Sequence, residues 1–408
     1  MAAGAREAQV RRCDVLVCGG GVAGVAAALE ASREGARVIL LEKTLLPGGL
    51  ATSGLINVYL PLCDGNGHQV TFGLAEELLR LSMRYGPGDI PDWRAARNGG
   101  GNARFRVVFS PAAFVLALDE ALQDAGVELW LDTLVCAAIV EKASESGARR
   151  VAGIEAETKG GRLRFLAHTV IDATGDADVA HRAGVLCHDE ANSLACWALD
   201  ANVLADAPTT LQTRGGRIGM LRVGGHRAEV GAPAPWHGLE APEITRFALE
   251  GRAQVRRYYR EAHAAAGPEA RQTHFPIALP VMAQFRTTRR IEGRERMRPG
   301  EMECRRETSV GLAPDWRKPG CVWETPWGAL LPAGIGNLLV AGRCIAAEGD
   351  AWDVMRVIPA AAMTGQVCGL AAALAARGGS SPEDLAVTEI QTRLRAKGFL
   401  LHRDEVVR

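Results

Sequence analysis

An α/β fold built on a Rossmann-like unit is what this sequence predicts, from three observations. Residues 15–18 (Val-Leu-Val-Cys) are an unbroken apolar run that enters Gly19-Gly20-Gly21-Val22-Ala23-Gly24, a G-x-G-x-x-G turn. A helix of small residues over 25–32 and a second apolar strand follow, ending at Glu42. Three further strand patterns at 135–140, 151–158 and 163–170 succeed one another across short turns, which reads as a β-meander.

Each part of the first unit has a physical task. Gly19 allows the tight turn off the strand, Gly21 lets the backbone approach a pyrophosphate, and Gly24 lets helix and strand pack closely. The helix directs its unpaired N–H groups and the positive end of its dipole at the phosphates. Glu42 stands where a carboxylate accepts both ribose hydroxyls and repels a 2′-phosphate, so the unit suits FAD or NAD and excludes NADP.

The rest of the chain is read in order. Residues 1–11 are a flexible start. The loop 45–54, with Gly48, Gly49, Leu50, Ala51, Thr52, Ser53 and Gly54, carries small side chains that can lie against a flat ring. Asp64-Gly65-Asn66-Gly67 is a turn, 72–85 has apolar residues at helical spacing, and 98–102 is an exposed glycine-rich loop. Pro111 opens a helix that runs to about Ala125 and stops at Gly126, and 127–134 reads as a strand.

The meander leads into Asp172-Ala173-Thr174-Gly175-Asp176, a strand end with a tight glycine turn. From 187 to 320 the β-α-β rhythm is lost and Arg, Pro and Trp are enriched, the pattern of an inserted α+β substrate domain. Residues 337–343 return to the first sheet and a long helix begins near Pro359. Ser381 reads as the N-cap, with Pro382 at the first helical position, of a last helix that ends at Lys397-Gly398. The domains are then 12–186 with 321–378 for the nucleotide, 187–320 for the substrate, and 379–408 as a C-terminal helix and tail.

Bulk properties narrow the class. The 408 residues suffice for two domains, and 48% hydrophobic with 23% charged residues is an ordinary soluble composition. Forty-seven basic residues balance 47 acidic ones, so neither nucleic acid nor an anionic membrane is favoured as partner. Ten cysteines are scattered with no C-x-x-C pair, which removes the usual zinc, iron–sulfur and thioredoxin-like readings, and no metal site is expected. Cys18, Cys344 and Cys368 sit in apolar segments as small hydrophobes of a reducing compartment. Arg11-Arg12 before the apolar run 15–29 mimics an export signal, but Asp14 breaks its charge pattern. The run 357–376 is about as long as a membrane span, yet Pro359, Thr364, Gly365, Gln366 and Gly369 fit a buried helix better. The chain is read as cytoplasmic.

Four segments taken together resemble the FAD-dependent oxidoreductases related to the succinate dehydrogenase and fumarate reductase flavoproteins. They are Gly19 to Gly24 with Glu42, the loop 48–54, the turn 172–176, and the stretch 337–365. The last, NLLVAGRCIAAEGDAWDVMRVIPAAAMTG, looks most like the family grouped with the heterodisulfide reductase A flavoprotein, as does Arg289-Arg290-Ile291-x-Gly293. The resemblance implies an FAD-binding domain of glutathione reductase type holding extended FAD. It assigns the pyrophosphate to Gly19, Gly21 and Gly24, the ribose to Glu42 and the adenine to the Val135 backbone. The middle of the cofactor falls to Gly175 and Asp176, and the ring to Arg343 with Arg356, Pro359, Ala360 and Ala361. Val22, Ala23, Lys43, Gly49, Leu50, Ala51, Thr52, Ala173 and Gly342 complete the expected set.

This chain departs from that pattern at Gly349 and Asp353, where the family has a histidine and a small residue. No histidine occurs in 48–54, so non-covalent FAD is expected. A flavin carries the hydride or electrons, and the protein adds a positioned substrate and a proton donor or acceptor. A second G-x-G-x-x-G unit is absent, so the pyridine-nucleotide disulfide reductases are not models. Arg286 and Arg289, with Arg290, are candidates to clamp a carboxylate or donate a proton, as an arginine does in fumarate reductases. Interleaved Glu292, Glu295, Glu301 and Glu303 equally suit a solvated helix face. His68, beside a glycine turn, is a candidate base. Tyr59, Arg106, Glu348 and Asp350 are lesser candidates, and Trp323, Trp327 and Trp352 read as packing residues. The function expected is an FAD-dependent oxidoreductase acting by hydride transfer on a small molecule, with an anionic one accommodated by the arginines. The alternative is an electron-relay subunit working with a protein partner.

Overall fold

The computed structural model describes residues 10–90, 92, 106–142, 149–202, 211–213, 216–224 and 236–406. The loop expected at 98–102 and most of the flexible start lie outside them. Strand β1 (Val10–Cys18), helix α1 (Val22–Arg33) and strand β2 (Val38–Leu41) form the β-α-β unit. Helices α2 (Leu74–Leu81) and α3 (Pro111–Asp124) follow, the latter started by Pro111 and by the Ser110 hydroxyl, which accepts from the Ala113 N–H. Next come β3 (Glu128–Trp130), β4 (Leu134–Lys142), β5 (Arg149–Thr158) and β6 (Gly161–Asp172). The single strand expected over 127–134 is thus two elements. Asp132 takes φ +51° between them and its N–H donates to the Thr44 carbonyl.

The middle of the chain holds β7 (Ala195–Asn202), β8 (Leu211–Thr213), β9 (Gly216–Gly224), the helix α4 (Ala241–Ala266) and β10 (His274–Ala278). These strands form an antiparallel sheet in the order β8-β9-β7-β10. Then β11 (Leu338–Val340), the short α5 (Gly349–Met355), the long α6 (Ile358–Gly378) and α7 (Val387–Ala396) end the chain.

The principal sheet runs β3-β2-β1-β6, all parallel, with β5 and β4 added antiparallel. On one edge β6 pairs with β1 along most of its length. On the other it pairs first with β5 over 161–166 and then with β11 over 170–172. The meander therefore peels away just where the returning strand enters. This places the carboxyl ends of five parallel strands in a row.

Helix α6 owes its place to glycine. A Cβ on Gly365 would stand 2.1 Å from the Ala23 carbonyl oxygen, and one on Gly369 2.3 Å from that of Ala27. The backbones of α6 and α1 therefore touch, and the apolar run of near membrane length is packed inside the protein with 89% of its most apolar window buried. Lys397, just past α7, ties that helix to the end of α1, its Nζ 2.7 Å from Glu30 and 2.8 Å from Glu34. Burial drives the thiols of Cys18, Cys344 and Cys368 well above the usual range, so these side chains stay as unionised packing groups.

Two expectations are corrected. Ser381 does not cap a helix: its hydroxyl donates to Asn337 Oδ1 at 2.5 Å, residues Pro382–Asp384 make one 3₁₀ turn, and α7 starts separately after Ala386. The arginine segment is not a solvated helix face: Arg289–Ile291 is a strand paired with Cys187–Asp189, and Arg286 and Arg290 are buried. Ile291, Met297, Val310 and Ala313 join the main core, while two small clusters, one of Cys196, Val255 and Tyr259 and one of Trp236, Phe247 and Phe285, serve the middle of the chain.

Candidate active site

A cavity of about 670 Å³ crosses the carboxyl ends of β3, β2, β1, β6 and β11. Four inter-strand gaps at about 4.8 Å each make a floor roughly 19 Å long. Ligands of open parallel sheets bind at this edge, where the helices that follow the strands present their N-termini.

Glu42 and Lys43 line the end beside β2, with Asp132 to Val135 opposite. The Glu42 carboxylate is buried and accepts from Gly20 N at 2.7 Å and Thr44 N at 2.8 Å. It has four lone-pair sites, so capacity for hydroxyl donors remains.

Gly19, Gly21, Val22, Ala23, Gly49, Leu50 and Ala51 line the middle. The glycines there divide by task. Gly19 has φ +101° and a Cβ would lie 2.5 Å from the Ala173 carbonyl oxygen, so the turn itself demands glycine. Gly24 does not face the cavity: a Cβ would lie 1.8 Å from the Gly19 carbonyl oxygen, so it serves packing. Gly21 is different. Its φ of −63° and ψ of 174° suit any residue, and a Cβ would meet only the Ala173 oxygen, at 4.0 Å. The protein's own atoms give no reason for glycine there, and the open side is the cavity. Above it Gly48 N donates to the Gly20 carbonyl at 2.7 Å, while the Thr52 hydroxyl donates to the Pro47 carbonyl and braces the loop from behind.

Helices α1 and α6 both begin at this cavity, through Val22 and Ala23 and through Ile358 and Ala361, and neither has a side-chain cap. Their first-turn N–H groups and dipoles are offered to an anion or electron-rich ring. Pro359 and Ala360 are buried behind Ala361 and do not line the cavity. The donor set, glycine cradle and length fit FAD laid across the strand ends.

Ala173, Gly175, Asp176, Gly342, Arg343 and Arg356 line the floor beyond. Asp172 anchors this turn from below, accepting from Thr174 N, Thr174 Oγ1 and Ala180 N. Burial pushes its carboxyl up to about 6 despite those bonds. Arg343 donates to the carbonyls of Gly175 and Phe285 and to the Asp176 carboxylate, and Thr288 also donates to Asp176, at 2.7 Å. Through these bonds the segment 281–289 is held over the floor as a roof, with Val281, Met282, Ala283 and Phe285 facing in.

The expected catalytic residues separate. Arg286 is buried beside Phe285 and does not line the cavity. Arg289 is spent on the tie between roof and floor, with Nη2 2.7 Å from Asp178 Oδ1 and Nε 3.0 Å from the Asp176 carbonyl. His68 pairs with Asp64 at 3.1 Å in its own turn and does not line the cavity. Tyr59 is fully buried on the Ala75 carbonyl, Arg106 is exposed, Glu348 is held by Arg296 and Arg290, and Asp350 accepts from Gly300 N. Trp323, Trp327 and Trp352 are buried. Gly349 takes φ +52° with Pro299 2.9 Å from a would-be Cβ, and Asp353 pairs with Arg317 and Arg356, so neither position offers a free acid or base.

The residues expected from sequence did not include the roof, Leu41, Thr44, Asp132, Thr133, Leu134, Asp178, Gly238, Ile244 and Ile358 as lining residues. Of these, Leu41, Thr44, Leu134 and Ile358 carried a signal, as neighbours of residues already chosen.

A family model described as FAD dependent oxidoreductase matches residues 14–196 and 205–394. A solved geranylgeranyl bacteriochlorophyll reductase-like protein from Thermoplasma acidophilum is 16% identical over 96% of this chain and 84% of its own, with TM-score 0.50. The p-nitrophenol 4-monooxygenase of Pseudomonas putida is 13% identical over 95% and 84%, also with TM-score 0.50. Both likenesses are of fold alone. No curated protein sequence matches the chain.

Proposed function

From the premise that this chain belongs to the FAD dependent oxidoreductase family and is an enzyme of that class with FAD as cofactor, we propose that FAD lies extended and non-covalently along the cavity, as in the glutathione reductase type. A small organic substrate then meets the ring under the roof 281–289. Gly21 carries this reading, because a glycine that neither backbone angle nor packing requires is explained by a group approaching from the cavity.

Bound FAD supplies hydride or electron transfer at its ring. The chain's own residues do the rest. Glu42 accepts the ribose hydroxyls, the N-terminus of α1 neutralises the pyrophosphate, and the N-terminus of α6 with Arg356 favours negative charge on the ring. The roof excludes water above it. Resemblance at 172–176, 289–293 and 337–365 supports kinship with the heterodisulfide reductase A-like flavoproteins. The ten thiols support a reducing compartment, the cytoplasm.

The test is anaerobic titration of the purified yellow protein against a panel of small metabolites. Bleaching of the flavin band, reversed by air, is the expected result. Bleaching only on addition of a partner protein would overturn the small-substrate reading, and a colourless protein that takes up no FAD would overturn the site.

A further inference from the structure

Strand β10 and the residues after it carry a row of bare apolar side chains. Phe275, Ile277, Leu279 and Val281 occupy alternate positions and are each between 40% and 73% exposed. Among the described residues no other stretch of seven exposes more than two large apolar side chains, so this is a concentration and not the ordinary scatter of a surface. No charged side chain occurs across 275–285. Edge strands are commonly guarded by charge, and this one is not.

Its guard against other strands is of a different kind. Pro276 withholds its N–H from the outer edge of the sheet, and the pairing of β10 with β7 shifts across Ile277 as a β-bulge. Both devices bar a further strand and leave the side chains accessible. The row also leads somewhere. Val281 is its most exposed member and at the same time lines the cavity, and Met282, Ala283 and Phe285 continue the apolar wall inward beside Ile244. The Val281 N–H donates to the Ser53 carbonyl at 3.0 Å and Gln284 Nε2 to that of Gly54 at 2.5 Å, which pins the inner end to the loop 48–54. From Phe275 to Val281 the row is roughly 20 Å long at extended spacing.

We propose that the substrate carries a long hydrocarbon tail, which lies along Phe275, Ile277, Leu279 and Val281 while its reacting end enters under the roof. A single lysine or glutamate would have blunted this edge, and its absence preserves a surface that only hydrocarbon matches. Continuity with the cavity favours a tail over a second copy of the chain or a bilayer, since either of those would cover the row without entering the site. The placing of the reacting end rests on the flavin reading; the seat of the tail stands on the row itself.

The test uses purified holoprotein with 1-decanol, geraniol and 1-butanol as probes, the first two being a straight and an isoprenoid chain of equal carbon number. Binding is read from the perturbed flavin absorbance and from the melting temperature. A chain on an open row buries one side of itself, which is about twofold in affinity per methylene, so decanol should bind roughly 60-fold more tightly than butanol. Tight binding of either long alcohol supports the proposal, and the better of the two assigns the tail as straight or isoprenoid. Ile277→Glu and Leu279→Glu change exposed side chains, so both should keep FAD; each should lose about tenfold in affinity for the long alcohol while butanol stays within about twofold. Leu116→Glu, at an exposed position of α3, should change neither. Equal affinity for decanol and butanol, or unchanged decanol binding in both row variants, overturns the proposal, as does long-alcohol binding that leaves the flavin absorbance unmoved. A dimer that either glutamate dissociates would give the row to a second copy. Binding to phosphatidylcholine vesicles, lost in the variants and without binding of the soluble alcohols, would give it to a bilayer, and each of these results overturns it too. Should the protein hold no FAD, the flavin reading fails by itself, and the melting shifts of wild type and row variants with decanol still decide the seat of the tail.

Discussion

Replacing the fingerprint glycines one at a time separates the demands of the fold from those of the ligand. In Gly21→Ala the new methyl meets only one protein atom within reach, the Ala173 oxygen at 4.0 Å, from a backbone that alanine adopts freely. The apoprotein should therefore melt at or slightly above wild type, since alanine restricts the unfolded chain by about 0.4–1 kcal/mol. The methyl instead fills the space through which a pyrophosphate reaches the N–H groups of Val22 and Ala23. Loss of one charge-assisted hydrogen bond is about 1.5–3 kcal/mol, so FAD affinity should fall roughly 10- to 150-fold. In Gly24→Ala the methyl would lie 1.8 Å from the Gly19 oxygen, and α1 must move off β1. Overpacking of that kind costs about 1–3 kcal/mol and should appear first in the melting temperature of the apoprotein. The assay is FAD binding by quenching of flavin fluorescence, run beside thermal melts of flavin-stripped protein. If Gly21→Ala lowers the apoprotein melt as much as Gly24→Ala does, or leaves FAD affinity within about twofold, the division of labour among these glycines is wrong.

Other expectations are narrower. Asp172 has its folded-state carboxyl raised to about 6 from an ordinary 3.8, so the native state holds that proton more tightly than the unfolded chain. Its stabilising contribution is present below pH 4 and lost as pH rises through 6, about 3 kcal/mol at most. Asp172→Asn should flatten that slope in urea denaturation at pH 5 and pH 8, and an unchanged slope would reject the account. Lys397→Met strands Glu30, whose carboxylate is 2% exposed, but the ammonium is 30% exposed and screened. A loss of about 2–3 kcal/mol is expected, mostly restored by adding Glu30→Gln, and additivity of the two changes would show that the pair is not coupled.

The floor of the site was legible because its signals are local. Gly19 to Gly24, Glu42 and the meander are each specified by neighbours in sequence, through turn geometry or a period of two. Helix α1 was placed three residues late because Gly21, not a polar side chain, precedes its first turn. The roof was not legible. Gln284, Arg286, Thr287 and Thr288 are polar residues with no local signal for burial, and they are buried because they exchange hydrogen bonds with Asn192, Trp197, Gly54 and Asp176 in distant parts of the chain. Ser381 failed for the same reason: it has the chemistry of a cap, but Asn337 claims the hydroxyl. Sequence order carries no trace of such long-range partners.

The bare contact between α1 and α6 limits how this protein can diversify. A pair of helices separated by side chains can be moved apart or rotated by exchanging a valine for an alanine. Where Gly365 and Gly369 rest on the carbonyls of Ala23 and Ala27, no such exchange exists. The offset between the two helix N-termini is then a fixed length, written in peptide geometry, against which any ligand held by both is measured. Substitutions along this seam have one direction, toward collapse of the site. New specificities on this frame must arise in the roof and the sheet behind it, where side chains rather than backbones set the distances.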